Sequence, residues 1–126
     1  MSGVLVDTSI WVDYFQRGNA LLGSLLKQRQ VMTHPMVLGE LICGTPPAPR
    51  AQTLREIARL PRTQQASFQE VTTFIEREAL YGLGCGWVDM VLLASTLLTP
   101  GAQLWTLDRR LAALAQRFGV SHQHLH

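Results

Sequence analysis

The chain has 126 residues, of which 47% are apolar and only 16% charged. That composition supports a sizeable core at the usual length of one domain and excludes a disordered segment. Eleven basic residues against nine acidic ones give a net charge of +2, and ten of the eleven are Arg, with Lys27 the exception. Arg suits bidentate phosphate contacts, although a coding bias produces the same excess. The two cysteines, Cys43 and Cys85, are far apart and lack metal-ligand spacing, so they read as reduced thiols of a cytoplasmic protein. The residues before Asp7 lack the basic and long apolar regions of a signal peptide, and no apolar run approaches the ~18 residues of a membrane span. No repeat or linker divides the sequence, and residues 1–126 are expected to form one domain.

Val4-Leu5-Val6 is a short apolar run stopped by Asp7-Thr8-Ser9, the pattern of a strand covered on both faces. Ile10, Trp11, Tyr14 and Phe15 then recur at helical spacing up to Gly18, and Leu21, Leu22, Leu25 and Leu26 make a second stripe. Val31-Met32 predicts another strand. His34-Pro35 predicts a helix start, with Pro at a permitted first-turn position, and Gly44 followed by two prolines ends that helix. Ala51 to Leu60 reads as a helix stopped by Pro61. Ser67-Phe68-Gln69-Glu70 is a capping-box pattern that opens the next one. After Gly82, Gly84 and Gly86, the stretch Val88 to Leu98 is apolar nearly all round and should be the most buried helix. Leu104-Trp105-Thr106 predicts a strand, and Asp108 opens a last helix closed by Gly119. Strands alternating with helices predict an α/β fold with a mainly parallel sheet, whose ligands bind beyond the carboxyl ends of the strands.

Four of the nine acids occupy unusual places. Asp7 ends a buried strand, Glu40 and Asp89 interrupt apolar helices, and Asp108 follows the last strand. An unpaired carboxylate in apolar surroundings costs several kcal/mol or takes up a proton, and acids kept there commonly share a cation. Each has an ordinary alternative: Asp108 as a helix cap, Asp7 as a turn residue, Glu40 and Asp89 as partners of an Arg. An all-oxygen donor set points to Mg²⁺ or Mn²⁺ rather than zinc. Thr8, Ser9 and Thr106 are hydroxyls beside these acids, available as supporting groups.

Asp7-Thr8-Ser9 with Trp11, Leu38-Gly39-Glu40-Leu41, Gly86-Trp87-Val88-Asp89 running into Leu92-Leu93-Ala94, and Thr106-Leu107-Asp108-Arg109 together resemble a PIN domain. More narrowly they resemble a VapC-type toxin of a bacterial toxin–antitoxin pair, over Val4 to about Phe118. The resemblance implies a three-layer α/β/α sandwich with a parallel sheet of about five strands, the third of them near Arg62-Thr63-Gln64. It also implies a metal-dependent ribonuclease that leaves a 3′-hydroxyl and a 5′-phosphate. On it, Asp7, Glu40, Asp89 and Asp108 are the catalytic and metal-binding acids. It further implies a homodimer, inhibited by a cognate antitoxin that inserts a peptide toward the acidic cleft.

Setting the four acids aside leaves eleven basic residues against five acidic ones, a balance suited to RNA. Arg109 and Arg110 stand beside Asp108 and are candidates for phosphate contacts or, more plainly, exposed first-turn residues. Three readings compete with the nuclease. A phosphoaspartate receiver needs a late Lys, and an aspartyl phosphatase needs a second Asp where Ser9 stands. A catalytically silent PIN-like module binding RNA or protein is the principal alternative. His122, His124 and His126 alternate, but such a terminal tract more simply makes a polar tail than a metal site. His34 reads as a helix-start residue, and Trp11, Tyr14 and Phe15 as core or dimer packing rather than as base-stacking groups.

Overall fold

A computed structural model describes residues 3–122. Strand β1 (Val4–Val6) lies at the centre of a parallel sheet, between β2 (Val31–Met32) and β3 (Gln103–Trp105). Val4 pairs with Val31 on one side and Gln103 on the other, and Val6 pairs with Trp105. All three residues of β1 are buried. Since adjacent side chains of a strand point to opposite faces, helices must cover both sides of the sheet. That is the expected α/β/α layering.

Seven helices are found among the described residues. They are α1 (Thr8–Arg17), α2 (Ala20–Lys27), α3 (Pro35–Cys43), α4 (Arg50–Ala58), α5 (Phe68–Glu78), α6 (Trp87–Leu98) and α7 (Arg109–Arg117). Their ends follow local chemistry. The Ser67 hydroxyl accepts from the Glu70 N–H while Glu70 accepts from the Ser67 N–H, so the capping box at α5 is complete. The Asn19 side chain caps α2. Helix α6 is the buried one, with every residue from Met90 to Thr96 in the core.

The strand count is smaller than expected. Among the described residues three strands are present, and the sheet is extended on each side only by a single parallel bridge, Thr33 to Arg62 and Leu104 to Ser121. At the first bridge the segment enters through Pro61, which has no N–H to donate, and continues through polar residues that offer little to pack on a sheet. The chain therefore makes five parallel passes, two of them reduced to one bridge each. The last predicted strand is also shifted by one residue, ending at Trp105 so that Thr106 lies just beyond it.

The strand order β2-β1-β3 places the site. From β1 the chain moves outward to β2 in one direction and later returns to β3 on the opposite side. The sheet order reverses between β1 and β3, and a crevice opens there beyond the strand ends. Asp7 directly follows β1, and Thr106 directly follows β3. Helix α6 leads into β3 and runs back from the same edge, so its first turn also belongs to this rim.

Candidate active site

Asp7 is buried, at 8% exposure, and its Oδ2 accepts hydrogen bonds from Ser9 Oγ at 2.8 Å and Thr106 Oγ1 at 2.7 Å. These two hydroxyls also accept from the next stretch of chain. Ser9 Oγ takes the Leu107 N–H at 3.0 Å, and Thr106 Oγ1 takes the Asp108 N–H at 3.0 Å. The end of β1 and the loop after β3 are thus tied together through one carboxylate oxygen. The backbone N–H of Asp7 adds a bond to the Trp105 carbonyl at 3.0 Å.

Asp108 is exposed and caps α7, its Oδ1 accepting from the Leu111 N–H at 2.9 Å. The cap reading is therefore correct, and one oxygen of the carboxylate is held by the start of the helix. Glu40 departs from expectation. It lies on the solvent side of α3 rather than in the core, because α3 buries Val37, Leu38 and Leu41 on its other face. Its Oε1 accepts from Thr8 Oγ1 at 2.6 Å, which aims it toward the start of α1. Asp89 is half-buried at the third position of α6, where its Oδ2 accepts from the Gly86 N–H at 3.2 Å.

The electrostatics tie these groups to one another. The Asp89 carboxyl is raised above the ordinary Asp range, first by burial, against the Gly86 hydrogen bond that lowers it, and then by the charges of Asp7, Asp108 and Glu40. None of the three ion pairs among the described residues involves these four acids; they join Arg17 to Asp13, and Arg77 and Arg117 to Glu78. The reading of Glu40 and Asp89 as partners of an Arg thus fails. Four carboxylates act on each other with hydroxyls and backbone N–H groups, but no cation, in reply.

The donors are all oxygens, which suits Mg²⁺ or Mn²⁺. Among the described residues no three acid, His or Cys groups already stand together as a ready metal cage. Like charges without a counter-ion spread apart, and here each acid is drawn to a local hydrogen-bond donor instead. The donor chemistry and the lack of any Arg partner fit a divalent cation.

Of the two arginines, Arg110 is the better placed. Its side chain lies across the open face of Gly84, whose φ is a left-handed +89°, and a Cβ there would fall 2.4 Å from the guanidinium. Glycine takes that backbone angle without strain, and its lack of a side chain leaves the space that the guanidinium fills. Arg110 is close enough to Cys85 to oppose the rise in its thiol pKa caused by burial and by Asp89 and Asp108. Arg109 makes no hydrogen bond or ion pair among the described residues. The sequence reading could not separate these two, and it gave no sign of the Gly86 and Gly84 contacts, although three glycines in five residues marked the loop.

Other sequence candidates lie elsewhere. His34 is 3% exposed and caps α3, its Nδ1 accepting from the Met36 N–H at 3.0 Å, so it is the expected helix-start residue. Trp11 packs with Tyr14 and Phe15, at centroid distances of 6.1 and 5.9 Å, in the core-facing side of α1. His122 lies beside Gln103 and Trp105, while His124 and His126 fall outside the described residues.

The PIN domain family model matches residues 4–117, the stretch that holds the sheet and all four acids. The chain belongs to that family. It is 37% identical over 118 residues to proteins named Ribonuclease VapC32 from two strains of Mycobacterium tuberculosis, CDC 1551 and H37Rv, covering 94% of each chain. That likeness, spanning nearly the whole length, places it with the VapC-type members.

Proposed function

We propose that this chain is a divalent-metal-dependent endoribonuclease, the toxin of a toxin–antitoxin pair held inactive by a cognate antitoxin. The observation that carries the reading is the set of four acids without any cationic partner, at the sheet edge where α/β proteins bind ligands. The name of the similar ribonucleases supplies the substrate class.

Asp7, Glu40, Asp89 and Asp108 would hold Mg²⁺ or Mn²⁺. When bound, such a cation offsets charge on the phosphate oxygens and makes a water acidic enough to serve as the nucleophile in hydrolysis. The protein's own part is positioning. Ser9 and Thr106 fix Asp7 through one oxygen and leave the other for the crevice, and Thr8 aims Glu40. Helix α7 fixes Asp108, and the raised proton affinity of Asp89 makes it the acid most dependent on a counter-charge. Arg110, with Arg109 farther out, would contact RNA phosphates.

Partners follow from surfaces. A crevice with four acids and no Arg of its own suits an inserted basic side chain of an antitoxin. A depression of about 240 Å³ beside Trp11, Tyr14, Phe15 and Leu60, with the Trp11 Nε1–H buried and unbonded, offers a second foothold for a protein partner. The exposed Leu97 and Leu98, at a cavity of about 410 Å³ between α5 and α6, support a homodimer. No helix among the described residues is long and apolar enough to cross a membrane, and the two free thiols suit the cytoplasm.

A silent binding module is favoured by one feature, the separation of the acids from a ready metal cage. Labelled RNA separates the two readings. Cleavage with Mg²⁺ or Mn²⁺ that stops in excess EDTA is the expected result. Cleavage unchanged in EDTA contradicts the metal role, and no cleavage with either cation leaves the silent module.

A further inference from the structure

The three tryptophans of the chain are not equivalent. Trp11 and Trp105 are 2% and 5% exposed, inside the core, whereas Trp87 is 38% exposed and touches Phe68, itself 73% exposed. The Phe68 and Trp87 rings lie 5.0 Å apart between centroids, tilted by 37°. Large aromatics normally gain by burial, and an exposed touching pair marks a contact surface.

Position argues for what the contact is. Trp87 is the first residue of α6 and Asp89 the third, at the end of the helix that reaches the acid crevice. Residues two apart on a helix do not face each other, so Trp87 looks to the flank where α5 begins, beside the crevice rather than into it. Polar, exposed Ser67, Gln69 and Glu70 adjoin the pair along α5. A stable protein interface buries about 800 Å² on each partner, and two rings beside polar neighbours offer a target closer to the size of one base. Every nucleobase has a face that stacks on an aromatic ring.

We infer that Phe68 and Trp87 form a stacking platform for a nucleobase of single-stranded RNA whose phosphodiester lies at the acid crevice. The platform holds in place the base that stands beside the cut. This rests on the ribonuclease reading, and it assigns to Trp87 and Phe68 a role in substrate binding rather than in the reaction itself.

Tryptophan emission reads the platform directly, because Trp87 is the exposed one of the three. The protein is titrated in EDTA, which prevents cutting, with a short oligoadenylate and with an abasic phosphodiester strand of equal length. The oligoadenylate should quench emission and bind more tightly than the abasic strand. Trp87→Leu should weaken oligoadenylate binding about ten-fold, the scale of one lost base–aromatic stack, and leave abasic binding unchanged. Trp87→Phe should recover most of the loss, and in Mg²⁺ the leucine variant should cut oligoadenylate less efficiently than the parent. Equal affinity for the two strands, or a leucine variant that binds and cuts as the parent does, overturns the platform while the ribonuclease stands. Emission that changes with protein concentration alone assigns the pair to self-association and likewise overturns it. A parent that neither binds these strands nor cuts RNA in Mg²⁺ removes the ribonuclease reading, and the platform with it.

Discussion

Two polar clusters are built into this fold, and they are put together in opposite ways. At His34 both ring nitrogens are matched. Its Nδ1 accepts from Met36, so the ring proton sits on Nε2, which donates to Ser95 Oγ at 3.1 Å. Ser95 Oγ also accepts from the Ala66 N–H at 3.0 Å, joining α3, α6 and the segment before α5. This knot is neutral and buried. Around Asp7 the groups are also hydrogen-bonded, but they carry several negative charges with no positive one beside them. Satisfied neutral polarity holds elements together, whereas unbalanced charge costs stability unless a ligand supplies the missing sign. The first cluster is a fastening, and the second is the proposed site.

The largest expected effect is on activity at the charged cluster. Asp7→Asn keeps the shape and an acceptor for Ser9 and Thr106, and RNA cleavage should fall by about a thousand-fold, the scale of losing one electrostatic partner of a transition state. A melt should show the fold intact. At the neutral cluster the outcome inverts. Ser95→Ala leaves the Ala66 N–H and the His34 ring without their partner, and chemical denaturation should show a loss of about 1–3 kcal/mol. Cleavage per folded molecule should be unchanged. If both variants lose mainly stability, or both mainly activity, the contrast fails.

Thr106→Ser and Thr106→Val sharpen it further. The serine keeps the bond to Asp7, while the valine frees that oxygen and should lower cleavage by about 10- to 100-fold, as loss of a group that orients a metal ligand does. Cleavage by both variants, measured at the same metal concentration, distinguishes a hydroxyl that positions Asp7 from one that only fills space.

Much of this contrast was legible in the sequence, for identifiable reasons. Asp7 shows itself as an acid at the end of an unbroken apolar run, and Asp89 as one inside an apolar helix. Glu40 is singled out on the same ground, but α3 turns it outward, and its place beside α1 depends on where Thr8 lies across the fold. The edge pass at Arg62 was nearly invisible because a single bridge needs no run of β-forming residues. Phe68 falls inside a capping-box pattern, and Trp87 stands between the glycine loop and the apolar helix, in the Gly86-Trp87-Val88-Asp89 motif. Their exposure depends on how α5 crosses α6, which periodicity does not encode.

The smallest effect is a pH dependence of the neutral knot. Burial, with a smaller contribution from the nearby Arg62 charge, holds the His34 pKa below its ordinary value. The unfolded chain therefore binds the proton more readily, and stability is complete above about pH 6.5, the ordinary His value. It should decline as pH falls from there toward the lowered pKa. His34→Asn keeps a side-chain acceptor for the Met36 N–H and has no such titration. Denaturation midpoints of the two proteins between about pH 7.5 and 5.5, roughly one unit either side of that value, should converge at the acid end as only the parent loses stability.

The claim that the four acids form a site short of positive charge is tested most directly by Asp89→Asn in a thermal melt, with EDTA and with Mn²⁺. In EDTA the variant should be as stable as the parent or more so, because one repelling charge is gone and the burial of Asp89 no longer opposes ionisation. With Mn²⁺ the parent should rise in Tm, by the equivalent of about 2.7 kcal/mol at a hundred times the dissociation constant, and the variant clearly less. A large loss of stability for the variant in EDTA, with equal responses of the two proteins to Mn²⁺, would show Asp89 to be a structural partner in the fold and contradict the account.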